Sequence, residues 1–146
     1  ADASFALVLN IDIACMSNDG NVMDTSMIAM LATLRTAEFP IYQPDESGKV
    51  VPRHDLKKWK PTVSNYPVSL TFGLFDNAIL HDCTHKEEQE LTGWYSVVYN
   101  NLGQLCGMYK PGGTPIKKDS MKECMAVAKL HAKKVHQQML STIPAA

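Results

Sequence analysis

Three glutamates lie close together as Glu87, Glu88 and Glu90, and an indole, Trp94, follows at the start of a β-rich run. Clustered carboxylates are suited to holding Mg²⁺ or to donating a proton as a general acid. The same acidic run is also typical of a solvated first helical turn, because the N-terminus of a helix favours negative charge. The pattern favours the solvated turn and leaves catalysis open as the alternative.

The segment before the glutamates, His81-Asp82-Cys83-Thr84-His85, offers four potential metal ligands. On a strand, side chains 81, 83 and 85 would share one face. A zinc site also needs a fourth ligand or an organised open position, and usually a second ligand pair, which the sequence does not offer. We therefore expect polar residues at a strand end, with no metal and no other cofactor.

Nucleophilic and phosphate-binding motifs are not supported by the sequence. The chain has no G-x-S-x-G motif and no cysteine in a glycine-rich activating context. The run Lys110-Pro111-Gly112-Gly113 does not have the spacing of a phosphate-binding P-loop. Its glycines are better explained as the end of a strand before a helix.

Composition and charge restrict the class of protein. The chain has 146 residues and a formal net charge of −1, which suits one domain with a real core and argues against an autonomous nucleic-acid binder. Basic residues concentrate in 49–60 and 117–134, and acidic residues in 76–92. Such segregation is typical of solvated faces, and it also suits docking between complementary subunits.

Cysteine spacing and terminal composition indicate the cellular context. None of the four cysteines is spaced as C-x-x-C, so we expect reduced and mostly buried thiols. No apolar run is long enough for a transmembrane helix. The N-terminus has no basic region and no initiator methionine, so we expect no signal peptide and a fragment of a longer protein.

Hydrophobic periodicity predicts the elements that would position these residues. Helical spacing of apolar residues predicts helices over Val22–Ala37 and about Lys118–Leu140. An almost continuously apolar run predicts a central strand over Phe5–Ile13, covered on both faces. Alternation and turn signals predict four antiparallel strands: Pro67–Phe75, Ala78–His81, Trp94–Tyr99 and Gln104–Tyr109. Residues 41–65, broken by prolines and a glycine, are predicted to form a connector with a short strand or two near 49–53. The fold class is α/β, a layered α+β arrangement in which mixed and antiparallel sheets pack with helices.

Three stretches in this order resemble the C-terminal half of RNase PH-like proteins, and specifically the ring subunits of the eukaryotic RNA exosome. They are DGNVMDTSMIAMLATL (19–34), YPVSLTFGLFDNAILHDCTHKEEQELTGWYSVVYNNLGQL (66–105), and MYKPGG followed by the long helix. The resemblance implies an RNase PH-like fold, C-terminal portion. Residues 1–40 would end the first subdomain with a strand and a helix, 41–65 would connect, and 66–146 would form the second subdomain. The KPGG element favours a non-catalytic ring subunit.

The resemblance also implies which site residues to compare. Active members of this family use phosphate to cleave RNA from its 3′ end and carry two aspartates six residues apart, where this chain has Glu88 and Trp94. Active members bind phosphate with a Gly-Thr-Arg or Gly-Ser-Arg turn, and Met23 stands at the arginine position here. Asp24, which follows, is expected to repel phosphate. We therefore expect a degenerate site of Glu88, Trp94 and Met23 with no catalytic residue.

Two functional hypotheses follow from this resemblance. The first is a catalytically inactive structural subunit of the hexameric exosome ring, which supports 3′-to-5′ RNA degradation and processing, rRNA included. Its partners would be other RNase PH-like subunits, RNA-binding cap subunits and RNA threaded through the ring, with no membrane, in the nucleus, nucleolus and cytoplasm. Lys57, Lys58 and Lys60 are candidate RNA contacts, and an exposed basic loop is the alternative for them. The second hypothesis is an active phosphate-dependent 3′-to-5′ exoribonuclease. A free-standing interaction domain is a third, weaker reading.

Overall fold

The protein is described here by a computed structural model that covers residues 6–76 and 78–143. Along these residues the order of elements is α1 (Val22–Thr36), β1 (Ile41–Pro44), β2 (Val50–Arg53), β3 (Val68–Phe75), β4 (Ala78–His81), α2 (His85–Glu90), β5 (Gly93–Tyr99), β6 (Leu105–Tyr109) and α3 (Lys118–Thr142). The α/β class is confirmed, as are both long helices and the four strands of the second half. Asn77 lies outside the described residues.

The second half of the chain is built on an antiparallel sheet with the strand order β4–β3–β5–β6. In the register of β3 with β5, Leu70 lies opposite Val97 and Phe72 lies opposite Tyr95. Because side chains alternate across a strand, these four residues share one face of the sheet. All four are buried. In the connector, β1 and β2 form a separate two-stranded sheet.

Helix α3 covers this apolar face of the sheet. Its buried side chains follow the predicted helical stripe and join the same core cluster as the sheet residues. They are Cys124, Ala128, Ala132, Val135 and Met139. His136 is also buried, as a polar residue beside this cluster. An amphipathic helix of this kind is stabilised mainly by the packing of its apolar face, and the lysines occupy the outer face.

Helix α1 is attached to the opposite face of the sheet by Asp24. This carboxylate is only 3% exposed. One oxygen accepts hydrogen bonds from the hydroxyls of Ser69 (2.5 Å) and Thr71 (2.8 Å), and the other accepts from the backbone N–H of Thr71 (2.7 Å). Ser69 and Thr71 alternate with Leu70 along β3, so α1 and α3 lie on opposite faces of the sheet.

The predicted strand at the N-terminus is wrong for the residues that the structure describes. Residues 6–13 form no strand, and all of them are exposed, including Leu7, Val8, Leu9 and Ile11. The physical reason is that no other described strand runs beside them to supply backbone hydrogen bonds. Phe5 lies outside the described residues.

The cysteines are free thiols, but the expectation that most are buried needs correction. Cys83 and Cys124 are buried, whereas Cys15 and Cys106 are exposed. Cys15 lies in the unpaired N-terminal segment, and Cys106 lies on the edge strand β6. No helix within residues 6–76 and 78–143 combines the length and hydropathy needed to cross a membrane.

Candidate functional site

The structure brings Met23, Glu88 and Trp94 into one pocket with a volume of about 270 Å³. The three side chains come from α1, α2 and β5, which are far apart in sequence. The pocket lies on the face of the sheet that carries α1. Its lining consists of Asn21, Val22, Met23, Thr71, Gly73, Cys83, Glu88, Leu91 and Trp94. The three residues singled out in the sequence are therefore neighbours in space.

Glu88 contacts the start of helix α1. Its Oε1 accepts a hydrogen bond from the backbone N–H of Asn21 at 2.8 Å. The side-chain amide of Asn21 donates to Asp82 Oδ1 at 3.0 Å. Asn21 adopts a left-handed conformation with φ 51° and caps α1 without a side-chain hydrogen bond to the helix. Because free N–H groups and the helix dipole make a helix N-terminus favourable for an anion, the chain's own carboxylate occupies part of this position.

The other two glutamates have different partners, so the three carboxylates do not converge. Thr84 and Glu87 form a capping box at the start of α2, in which the backbone N–H and hydroxyl of Thr84 each donate to Glu87 Oε2 at 2.8 Å. These two hydrogen bonds lower the pKa of the Glu87 carboxyl. Glu90 is exposed at the end of α2. The predicted solvated turn is thus a short capped helix.

Trp94 forms a wall of the pocket and is only partly exposed. In the sheet it lies opposite Gly73, where an added Cβ would stand 2.6 Å from the Leu91 side chain and 2.9 Å from Cys83 Sγ. Contacts that short would have to be relieved by movement of the Leu91 and Cys83 side chains, so glycine lets both of them pack closely against the sheet here. The indole also packs against Tyr109 of β6, with ring centroids 5.4 Å apart, a favourable tilted geometry.

Among the described residues that line the pocket, Glu88 is the one charged side chain. No lysine, arginine or histidine faces it there, so nothing in this lining would neutralise a phosphate. Cys83 is a poor nucleophile, because burial, followed by the nearby Glu87, raises the pKa of its thiol. Met23 contributes its sulfur, which lies 3.8 Å from the Ser96 hydroxyl.

Asp24 does not line this pocket, which corrects its expected role. Its carboxylate faces β3 and is occupied by Ser69 and Thr71. Sequence reasoning gave Asp24 an electrostatic effect on phosphate, and the structure gives it a packing role. The signal that could have found this role is the pair of hydroxyl residues alternating with apolar ones in β3.

The histidine-rich segment is divided between different elements. β4 ends at His81 and α2 begins at His85, so side chains 81, 83 and 85 do not share a strand face as expected. Cys83 is buried, whereas His81 and His85 are exposed, and His85 lies 3.2 Å from the amide of Gln89. In residues 6–76 and 78–143, no group of three or more His, Cys, Asp or Glu side chains is arranged to hold a metal ion.

The candidate RNA-contacting lysines lie in the connector, away from this pocket. Lys57, Lys58 and Lys60 are exposed. Lys60 forms an ion pair with Glu38 at 3.5 Å, next to the isolated bridge between Phe39 and Trp59. The neighbouring carboxylate reduces the positive charge that Lys60 offers, so Lys57 and Lys58 remain the stronger candidates.

We expect Glu88→Ala to lower the free energy of unfolding by about 1 kcal/mol, because one hydrogen bond from a helix N-terminus to a carboxylate is lost at an exposed position. Urea unfolding of the complete protein that carries this chain measures the effect. Glu90→Ala is the matched control, since Glu90 is also exposed, lies on the same helix and has no such partner among the described residues. A larger loss in the Glu90 variant would contradict this role for Glu88.

A family match and similar proteins both relate the chain to exoribonuclease and exosome proteins. Residues 65–129 match the family described as 3′ exoribonuclease family, domain 2. The chain is 31% identical over 130 residues to exosome complex component RRP45B of Arabidopsis thaliana, a match that covers 85% of this chain and 30% of that protein. It is 30% identical over 124 residues to exosome complex component rrp43 of Schizosaccharomyces pombe, covering 85% of this chain and 46% of that protein.

Solved structures show the same fold. The chain superposes on a subunit of an Archaeoglobus fulgidus exosome with RNA bound to the active site, with a TM-score of 0.70 and 22% sequence identity. That match covers 85% of this chain and 45% of the other. The chain thus spans about a third to a half of the length of the proteins it matches. The resemblance to RNase PH-like proteins and the RNase PH-like fold are confirmed.

Proposed function

We propose that the chain is part of a catalytically inactive subunit of an RNA exosome ring, because residues 65–129 match the family described as 3′ exoribonuclease family, domain 2. Such a subunit contributes shape and contacts to the ring, which processes and degrades RNA from the 3′ end. Its relatives are named exosome complex components, and this naming supports the ring assignment.

The proposal that the chain is catalytically inactive rests on the residues that line the pocket. By resemblance, active relatives place an arginine at the position of Met23 and an aspartate at that of Trp94. The structure places both residues in one pocket with Glu88 as its single charged lining residue in the described chain. Phosphoryl transfer depends chiefly on electrostatic stabilisation by cations and metal-binding carboxylates. A thioether and an indole supply neither.

The partners follow from the same assignment. We expect the other RNase PH-like subunits on either side in the hexameric ring, RNA-binding cap subunits above it, and RNA threaded through it. Lys57 and Lys58 are the candidate contacts to that RNA, with sequence-independent and salt-sensitive binding. The nucleus, the nucleolus and the cytoplasm are the proposed locations, and rRNA is among the proposed substrates of the complex.

Affinity purification of the complete protein at moderate salt, followed by mass spectrometry, tests the ring assignment. The expected result is recovery of other RNase PH-like chains and cap proteins in near-equal amounts. Recovery of the protein alone, or only as a homo-oligomer, would overturn the assignment. A phosphorolysis assay on the protein recovered alone would then test the alternative of an active exoribonuclease.

We expect Trp94→Asp to release no detectable nucleoside diphosphate from a single-stranded RNA in the presence of phosphate. The added carboxylate repairs one defect, but Met23 still leaves the pocket without a cation. An active family member assayed in parallel controls for the reaction conditions. Phosphate-dependent shortening of RNA by this single variant would contradict the argument that two separate substitutions make the site inactive.

A further inference from the structure

A second groove lies on the outer side of α3, away from the pocket described above. It is formed by the turn between β5 and β6 and by one face of α3, and its volume is about 580 Å³. Two leucines in it are strongly exposed, Leu102 at 69% and Leu130 at 64%. The stem of Lys129 passes over the turn, since a Cβ added at Gly103 would stand 3.1 Å from Lys129 Cε. Apolar side chains and a lysine stem therefore line one surface.

The charge of this groove is positive and uncompensated in the described chain. Lys129 and Lys133 both line it and lie one helical turn apart on α3. Neither lysine takes part in the three ion pairs found among the described residues. From Cys124 to the end of α3 the sequence contains no acidic residue. The groove thus combines exposed leucines with two cations that have no internal counter-charge.

We propose that this groove binds an acidic, leucine-containing peptide segment of a partner protein. Leucine side chains of the segment pack against Leu102 and Leu130, and its carboxylates pair with Lys129 and Lys133. A peptide fits better than single-stranded RNA, because the described lining contains no Phe, Tyr or Trp side chain for base stacking. Its one imidazole, His136, is only 8% exposed and lies 2.6 Å from the carbonyl oxygen of Tyr66. Charge complementarity of this kind speeds association and selects the partner more than it adds affinity.

Fluorescence anisotropy tests the proposal with the complete protein and a labelled peptide that alternates glutamate and leucine. We expect saturable binding that weakens as salt is raised. Lys129→Glu/Lys133→Glu is expected to weaken binding by at least about tenfold, because two attractions become repulsions. Lys49→Glu/Lys118→Glu is the matched control, since it changes the net charge equally at exposed positions outside the groove. Circular dichroism confirms that both variants fold.

The apolar part of the proposal has its own measurement. A peptide with serine in place of leucine is expected to bind at least about fivefold more weakly, and Leu130→Ser in the protein is expected to reduce the difference between the two peptides. The proposal would be overturned if Lys129→Glu/Lys133→Glu and its control variant bound the peptide with equal affinity. It would also be overturned if the wild-type protein showed no saturable binding up to roughly 1 mM peptide. Tighter, Lys129-dependent binding of an oligouridine than of the peptide would assign the groove to RNA instead.

Discussion

Asp24→Ala is expected to lower the free energy of unfolding by about 3–5 kcal/mol, because buried donors that lose their acceptor each cost about 1–3 kcal/mol. The carboxylate now accepts from the Ser69 hydroxyl, the Thr71 hydroxyl and the Thr71 backbone N–H. The Thr71 hydroxyl keeps a second partner, Ser96, at 2.7 Å. Ser69 and the Thr71 amide have no described alternative, and alanine leaves them facing a void.

Urea unfolding of the complete protein measures this loss, and Asp119→Ala is the matched control. Asp119 lies in the first turn of α3, as Asp24 lies in the first turn of α1, but its side chain is 92% exposed. The control therefore removes the interaction of an aspartate with a helix N-terminus and an exposed ion pair with Lys122, but nothing buried, and each of these is worth under about 1 kcal/mol. Similar losses in the two variants would show that burial of Asp24 contributes nothing.

Asp24→Asn separates hydrogen bonding from charge at the same position. The amide oxygen can still accept from two of the three donors, but the NH₂ group then faces another donor. We expect this variant to lie between wild type and Asp24→Ala. If Asp24 holds α1 on the sheet, both variants also move Met23, the preceding residue, which lines the pocket. Weaker protection of the α1 amides from hydrogen exchange is therefore a second readout.

Local patterns were sufficient to predict the second half of the fold. Apolar and polar residues alternate in β3, and apolar residues form a helical stripe on α3, because each element buries one face against the other. The spacing of apolar residues therefore shows which faces form the core. The strand predicted at residues 6–13 was wrong because it depended on a neighbour. Its apolar run meets the requirement for a buried strand, but burial also needs a partner strand, and spacing within one segment carries no information about that partner.

The sequence indicated which residues to compare at the candidate site, but not the contacts that they make. Met23, Glu88 and Trp94 were identified from three separate stretches, and the structure places them around one pocket. The hydrogen bond from the backbone N–H of Asn21 to the Glu88 carboxylate was not predictable, because it joins residues that are 67 apart in the chain. The partners of Asp24 likewise depend on which face of β3 meets α1, and this is a property of the tertiary packing.

Gly20→Ala, in the turn before α1, is expected to destabilise the protein by more than about 4 kcal/mol. Gly20 has φ +92°, and a Cβ there would stand 2.1 Å from the carbonyl oxygen of Cys83 and 2.8 Å from the backbone nitrogen of His85. Both obstacles are backbone atoms, so no side-chain rotation relieves the overlap. The turn would have to move away from the start of α2, which would separate Asn21 from Glu88.

Gly48→Ala isolates the contribution of backbone strain from that of the overlap. Gly48 has a similar φ of +79°, but no atom lies within 4 Å of its added Cβ. Alanine there is expected to cost only about 1–2 kcal/mol, the usual penalty for an L-residue in the left-handed region. Chemical denaturation of the two variants in the complete protein gives the comparison. Equal losses would mean that the turn moves freely, and that the contact between Gly20 and Cys83 does not hold α1 against α2.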